Sequence, residues 1–258
     1  MTMESWRVAQ VIVHRGPGDE GSRGSGYLIA PGMVLTAAHV LARASTVRVR
    51  LDAGNQNEID VLADKWWVDP DPGDGTDLAV IRIPGEATAG RHVERVRFGR
   101  ISDCTAVLPV QAFGYPLFKL RPILPRKDEP GVSRDLEQVT GHAPVAANRR
   151  QGTLAVYLDD PAPASPGHTG RSPWEGMSGA AVWATGRVVA VIAEHHSAEG
   201  AARLTARRID RAYEQLPTSD LGQFAEWTGL PPNHKRAARC HPGQASSACA
   251  LSIFRTDL

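Results

Sequence analysis

The sequence predicts an all-β protein, on two observations. Short runs rich in Val, Ile, Leu and Thr recur along the chain between clusters of Gly, Pro, Asp and Asn, the pattern of an antiparallel sandwich or barrel. These runs fall into two comparable groups divided near residue 100, which predicts two similar sheets or barrels, although no internal repeat is visible.

In the first group, residues 6–14 read as a strand followed by a turn-forming surface loop from Gly16 to Gly24. Residues 25–30 and 33–36, joined by Pro31-Gly32, form a predicted hairpin, and 37–41 have the composition of a short helical turn. Further strands are expected at 46–51, 59–68 and 78–83. The second group offers strands at 105–113, 136–145, 154–158, 180–184, 188–194 and 203–207. Two stretches rich in Pro and charge, 114–133 and 159–173, read as long loops. Residues 208–216 and 220–229 have helical composition, with Ser219 or Asp220 as N-cap and Gly229 as the stop before Pro231-Pro232. This divides the chain into a domain over 1–230 and a polar, poorly ordered tail over 231–258.

Composition narrows the function. A chain of 258 residues has room for one large domain or two small ones, and 42% apolar residues supply a sizeable core. Lys+Arg 29 against Asp+Glu 28 leaves a net charge of +1, which excludes a charge-driven nucleic-acid or membrane-surface partner. The N-terminus lacks a basic segment followed by an apolar one, and no run approaches the roughly 18 apolar residues of a membrane span. The expectation is a soluble, cytoplasmic protein. Cys104, Cys240 and Cys249 are an odd set without framework spacing, in keeping with a reducing compartment. Cys240, His241 and Cys249 lack the paired Cys-x-x-Cys of a zinc site and read as incidental thiols, so neither metal nor cofactor is expected.

Chemistry concentrates in Gly176-Met177-Ser178-Gly179, a serine on a tight turn entering the run 180–182. An acyl-transfer serine needs its own N–H and a neighbouring N–H aimed at the developing oxyanion. Gly176 and Ser178, flanking Met177, are placed to supply that pair. Alone, this motif fits an ordinary Gly/Ser turn equally well. Upstream stand His39, in Thr36-Ala37-Ala38-His39, and Asp77, delivered by the loop 69–76 to the start of Asp77-Leu78-Ala79-Val80. A serine hydroxyl becomes a useful nucleophile when an imidazole takes its proton, and the imidazolium needs a fixed negative neighbour. Asp69, Asp71 and Asp74 read as turn residues. A calcium loop would need a closing bidentate Glu, which is absent.

Taken together, Gly26-Tyr27-Leu28-Ile29, Val34-Leu35-Thr36-Ala37-Ala38-His39, Asp77-Leu78-Ala79-Val80 and Gly176-Met177-Ser178-Gly179 resemble the trypsin-like (chymotrypsin-fold) serine peptidases over residues 6–230. The order His, Asp, Ser is that of this fold rather than of subtilisins or α/β-hydrolases. The resemblance implies two six-stranded antiparallel β-barrels with the site between them and a C-terminal helix against the body. It implies Ser178 as nucleophile, His39 as general base and acid, Asp77 as the carboxylate fixing the His39 tautomer, and Gly176, Met177 and Ser178 as the oxyanion-hole segment. It places Ser172 at the base of the S1 pocket, where Arg- and Lys-selective members carry an aspartate. Ala193, Glu194 and His195 then run along the substrate cleft, with His195 favouring an acidic P1 side chain.

Departures from secreted members carry information. Met177 replaces the aspartate that pairs with a newly cut N-terminus in zymogen-activated members, so the oxyanion hole is expected to form on folding alone. Val40 follows His39 where many secreted members have a disulfide cysteine. The segments 172–180, 194–197 and 203–206 resemble a narrower group, bacterial intracellular trypsin-like domains that serve as effectors of signalling or defence proteins. That likeness implies a protein or peptide substrate and a regulatory switch or adaptor partner. The competing class is a trypsin-fold binding or scaffold module that recognises peptides without cleaving them.

Overall fold

The computed structural model describes residues 3–19, 21–73, 75–101, 107–122, 131–148, 150–163, 170–231 and 251–253. A short 3₁₀ turn, Ser5–Arg7, leads into β1 (Val8–His14), followed by β2 (Ser22–Ala30) and β3 (Met33–Ala37). The turn Ala38–Leu41 carries His39 out of β3. Next come β4 (Thr46–Leu51), β5 (Ile59–Leu62), β6 (Lys65–Val68) and β7 (Leu78–Arg82). Among the described residues these form a seven-stranded antiparallel sheet in the order β5-β4-β1-β2-β3-β7-β6.

The predicted strand 59–68 is therefore two strands with a corner at Ala63-Asp64. There the Ala63 N–H bonds Val47 O at 2.8 Å and the Asp64 N–H bonds Arg82 O at 2.9 Å. Each amide reaches back to a different side of the sheet, so the chain turns instead of running straight. Because β5 and β6 are sheet edges yet consecutive in the chain, the sheet must curl toward closure, but no ladder joins the two edges. Of the expected pair of six-stranded barrels, the described residues show one closed barrel, in the second half, and this seven-stranded half-barrel sheet in the first.

After β8 (Gly99–Ile101), the second half comprises β9 (Val107–Gly114), β10 (Leu120–Pro122), β11 (Val132–Arg134), β12 (Glu137–Pro144), β13 (Thr153–Leu158), β14 (Ala181–Ala184), β15 (Arg187–Glu194) and β16 (Arg203–Arg208). The strands β12-β13-β16-β15-β14-β9 close into a six-stranded barrel. Alternation along β9 fits a barrel wall with one face inward: Leu108, Val110 and Ala112 are buried while Val107 and Pro109 are exposed. The loop expected over 114–133 instead contains the turn Leu117–Lys119 and the β10–β11 hairpin.

The chain then forms α1 (Ala212–Gln215) and α2 (Thr218–Thr228). The helix expected over 208–216 shrinks to the short 3₁₀ turn Ile209–Arg211 and α1, because Arg208 is still in β16. Pro217, rather than Ser219 or Asp220, occupies the α2 N-cap, with no side-chain cap bond. Asp220 accepts the Trp67 indole N–H at 3.3 Å instead. Gly229 ends α2 in the left-handed conformation, φ +73°, as its position in the sequence predicts. Phe224 packs on Trp67 with ring centroids 5.1 Å apart, which docks α2 on the first sheet. Within 231–258, Leu251–Ile253 form β17, paired with β8. Residues 232–250 and 254–258, and all three cysteines, lie outside the described residues.

Two apolar cores fill the halves, one inside the curled sheet and one inside the closed barrel. The first core extends onto β14 and β15 of the barrel, where Tyr27 of β2 and Trp183 of β14 pack edge to face, centroids 5.2 Å apart. No helix among the described residues is long and apolar enough to cross a membrane.

Candidate active site

The two halves are stitched at the segment predicted to carry the nucleophile. The Ser25 N–H of β2 donates to Ser178 O at 2.7 Å, and the Ser25 hydroxyl donates to Gly176 O at 2.6 Å. From the barrel side, the Gly179 N–H donates to Ile192 O at 2.7 Å. Gly179 has φ +92°, and a Cβ there would collide with Ser25 O and Thr36 Oγ1, so this position admits only glycine. Ser178 thus stands on a turn clamped by both halves.

His39 and Asp77 arrive from the first sheet. The 3₁₀ turn after β3 presents His39, while Asp77 immediately precedes β7, its carbonyl accepting the Ala38 N–H at 2.9 Å. The Asp77 carboxylate accepts the His39 backbone N–H at 2.9 Å through Oδ1 and meets His39 Nδ1 at 2.7 Å through Oδ2. A carboxylate can only accept, so Nδ1 carries the proton and Nε2 is left as the basic nitrogen. Asp77 is buried, its side chain 5% exposed, whereas that of His39 is 43% exposed.

Asp77 adopts φ +51°, an uncommon backbone for a non-glycine residue. Its backbone N–H is held by Asp69, read from sequence as an ordinary turn residue. Its buried carboxylate accepts the Thr76 N–H and hydroxyl at 2.6 Å each, the Asp77 N–H at 3.0 Å and the Asp71 N–H at 3.0 Å. One side chain thereby ties Asp71, Thr76 and Asp77 to the start of this loop. Asp69→Ala leaves these buried donors unpaired and is expected to lower stability by about 3 kcal/mol, read by urea unfolding. A loss below about 0.5 kcal/mol would show that the loop holds Asp77 without it.

An open pocket of about 230 Å³ is lined by His39, Ser172, Ser178, Ala193, Glu194 and His195 among others. The structure thus gathers the predicted base, nucleophile and substrate-binding residues around one cavity. The Ser178 hydroxyl donates to Ala193 O at 2.8 Å, not to His39. Ala193 is the extra residue of a β-bulge in β15 between Ile192 and Glu194, which frees its carbonyl from the β16 ladder. At the far wall, Ser172 Oγ and His195 Nδ1 are 2.7 Å apart, and His195 Nε2 lies 3.2 Å from Gly200 O. Because Gly200 O only accepts, Nε2 bears the ring proton of neutral His195 and the Ser172 hydroxyl donates to Nδ1. Glu194 pairs with His196 at 3.0 Å.

In the expected oxyanion segment the amides have separate fates. The Met177 N–H is used within the turn, donating to Trp174 O at 2.9 Å, and its side chain is buried against Gly114. The N–H groups of Gly176 and Ser178 have no acceptor among the described residues. These two amides are the pair that the sequence reading singles out on either side of Met177. Gly176 has φ +95°, and a Cβ on it would overlap the Arg134 guanidinium. Beside it, burial pushes the Glu175 carboxyl up, but the hydrogen bonds and charges of Arg171 and Arg134 outweigh this and hold it below the usual carboxylate range. Among the described residues, no group of three or more His, Cys, Asp and Glu side chains forms a metal-binding set.

Sequence reasoning missed Asp69, Ser25 and Arg134. Ser25 had a signal, since Gly24 and Gly26 flank it, and a Cβ on them would crowd the Val40 side chain and Leu35 O. Arg134 sits in a stretch of mixed charge that offers none.

Residues 24–191 match the family model of the trypsin-like peptidase domain. Among solved structures, the chain is similar to the Rv3671c protease from M. tuberculosis in its active form, with 16% identity, 82% of this chain and 79% of that chain covered, and a TM-score of 0.52. It is also similar to the scabies mite inactivated protease paralogue S-D1, with 13% identity, coverage of 86% and 93%, and a TM-score of 0.57. At these identities the two show a shared fold. No curated protein matches the sequence. With the family model spanning His39, Asp77 and Ser178 and covering well over half of the chain, the chain belongs to the trypsin-like peptidase domain family and is a serine endopeptidase.

Proposed function

We propose that this endopeptidase cleaves its substrate through an acyl-enzyme formed on Ser178, with His39 as base and acid and Asp77 as the group that fixes the imidazole. The observation that carries the proposal is the 2.7 Å contact of His39 Nδ1 with buried Asp77, in a pocket that Ser178 also lines. On this reading the Ser178 hydroxyl leaves Ala193 O and is taken up by Nε2 of His39. The oxygen then attacks the substrate carbonyl as Nε2 takes its proton, and the Gly176 and Ser178 amides receive the negative oxygen. Collapse breaks the C–N bond, His39 protonates the leaving amine, and water repeats the sequence to release the acyl group.

A fluorophosphonate probe tests this directly. Labelling of the wild type and not of Ser178→Ala is expected. A well-folded wild type that never labels would instead favour the peptide-binding module, a reading that the engagement of the Ser178 hydroxyl by Ala193 keeps in view.

For specificity, the proposal is an acidic P1 residue. Ser172 and His195 already contact one another at the pocket wall, and a P1 carboxylate would take the Ser172 hydroxyl or a proton on His195 Nδ1. Of the two carboxylates among the described lining residues, Glu175 is held by Arg134 and Arg171, and Glu194 is half exposed beside His196, so neither is a buried counter-charge for a basic P1 chain. In a P1 peptide library, Glu or Asp is expected to exceed Arg and Lys; equal rates across these four remove the idea. The likeness of segments 172–180, 194–197 and 203–206 to intracellular effector domains supports, as a further part of the proposal, a cytoplasmic effector role under a switch or adaptor partner.

A further inference from the structure

Arg134, at the end of β11, is buried to 5% side-chain exposure beside the active-site turn. Its Nη1 donates to Glu175 O at 2.8 Å and lies 3.4 Å from Tyr115 O, while Nη2 meets Glu175 Oε1 at 3.2 Å. Its Nε is buried with no partner among the described residues. A charge held in so desolvated a place, with one donor unpaired, is costly and calls for a reason.

The reason lies in the peptide that it holds. A trans peptide is planar, with C=O and N–H pointing in opposite directions. A guanidinium fastened to the Glu175 carbonyl therefore turns the Gly176 N–H the other way. The next carbonyl, Gly176 O, is fastened by the Ser25 hydroxyl at 2.6 Å, whose oxygen in turn accepts the Tyr115 N–H at 2.9 Å. Glycine at φ +95° would otherwise let the Glu175–Gly176 unit rotate freely. Rotating it would point an N–H at the guanidinium, donor against donor, and the carbonyl toward the site.

We propose that Arg134 is a positioning residue, one that fixes the Glu175–Gly176 peptide so that the Gly176 N–H faces the substrate oxyanion, with the Glu175 carboxylate keeping the guanidinium in place. This internal ion pair does the work that a new N-terminus and an aspartate do elsewhere, at a position where this chain has Met177. Burial pulls the Arg134 guanidinium down from its ordinary value, and Glu175 opposes that pull. The inference rests on the proteolytic reading above.

The test is steady-state kinetics on the best peptide p-nitroanilide from the P1 scan. Losing one oxyanion donor costs about 10²–10³ in kcat. Arg134→Met is expected to lower kcat by about 100-fold with KM changed less than about threefold, a split that general loosening of the fold would not produce. Arg134→Lys, which keeps the charge on one donor nitrogen but loses the guanidinium fork, is expected to recover part of the loss. Arg171→Ala, which removes only the exposed partner of Glu175, is expected to leave kcat within about threefold. A folded Arg134→Met with undiminished kcat overturns the inference and leaves the proteolytic reading intact. A wild type inert to both peptide and fluorophosphonate removes the reading and the inference together. Should Arg134→Met fail to fold, a crystal structure of the wild type with a peptide boronate decides. Glu175 O on Arg134 with the Gly176 N–H on the boronate oxygen supports the proposal, and a Glu175 carbonyl detached from Arg134 sinks it.

Discussion

Ser178→Ala and His39→Ala are each expected to lower kcat by about 10⁶, and the double variant to be no slower than either single one. The hydroxyl is a nucleophile only while the imidazole takes its proton, and the imidazole has nothing to accept once the hydroxyl is gone. Two residues that act as one unit cannot lose their contribution twice. The residual rate comes from the oxyanion amides and from substrate binding, which both variants keep. Neither change removes a buried apolar group, since Ser178 is partly exposed and the His39 side chain is 43% exposed. Thermal unfolding should therefore stay near that of the wild type, separating chemistry from folding. Single-turnover measurements on the P1-matched peptide check this, and additive losses in the double variant would show that His39 and Ser178 do not share one step.

Asp77→Asn is expected to cost about 10⁴ in kcat. The two carboxylate oxygens have different tasks: Oδ1 takes the His39 backbone N–H and Oδ2 takes Nδ1. An amide can keep the first task with its oxygen, but then presents NH₂ to the ring. That reverses the tautomer, placing the proton on Nε2, where it blocks the attack of Ser178. Fold should survive in Asn, whereas Asp77→Ala also strands the His39 N–H at the mouth of β7 and is expected to destabilise the protein. Near-wild-type turnover by a folded Asp77→Asn protein would remove Asp77 from the mechanism.

Much of the fold was legible because its elements are local. Alternating apolar runs marked the strands of both halves, Pro31-Gly32 marked the β2–β3 hairpin, and Gly229 marked the end of α2. The corner at Ala63-Asp64 was not legible, since a straight strand and a bent one share the same apolar run and only the bonds to Val47 O and Arg82 O separate them. The β10–β11 hairpin was hidden in charged, Pro-rich sequence. Its last residue, Arg134, looks like a surface charge until Glu175, forty-one positions away in the chain, is brought against it.

By itself, the sequence determined the class of the protein and the residues of its candidate triad, because glycines around Ser178, the Ala-Ala-His turn and the Asp-Leu-Ala-Val strand are requirements of local backbone and chemistry. Only the tertiary structure decided that the Gly176 and Ser178 amides find no acceptor among the described residues, that Asp69 takes the Thr76 and Asp77 amides, and that Arg134 is buried against Glu175 O. Those features depend on where donors and acceptors from distant segments meet once water has been excluded. A linear pattern names the groups and leaves their partners open, and in a buried site the partner decides whether a polar group is bound, strained or available.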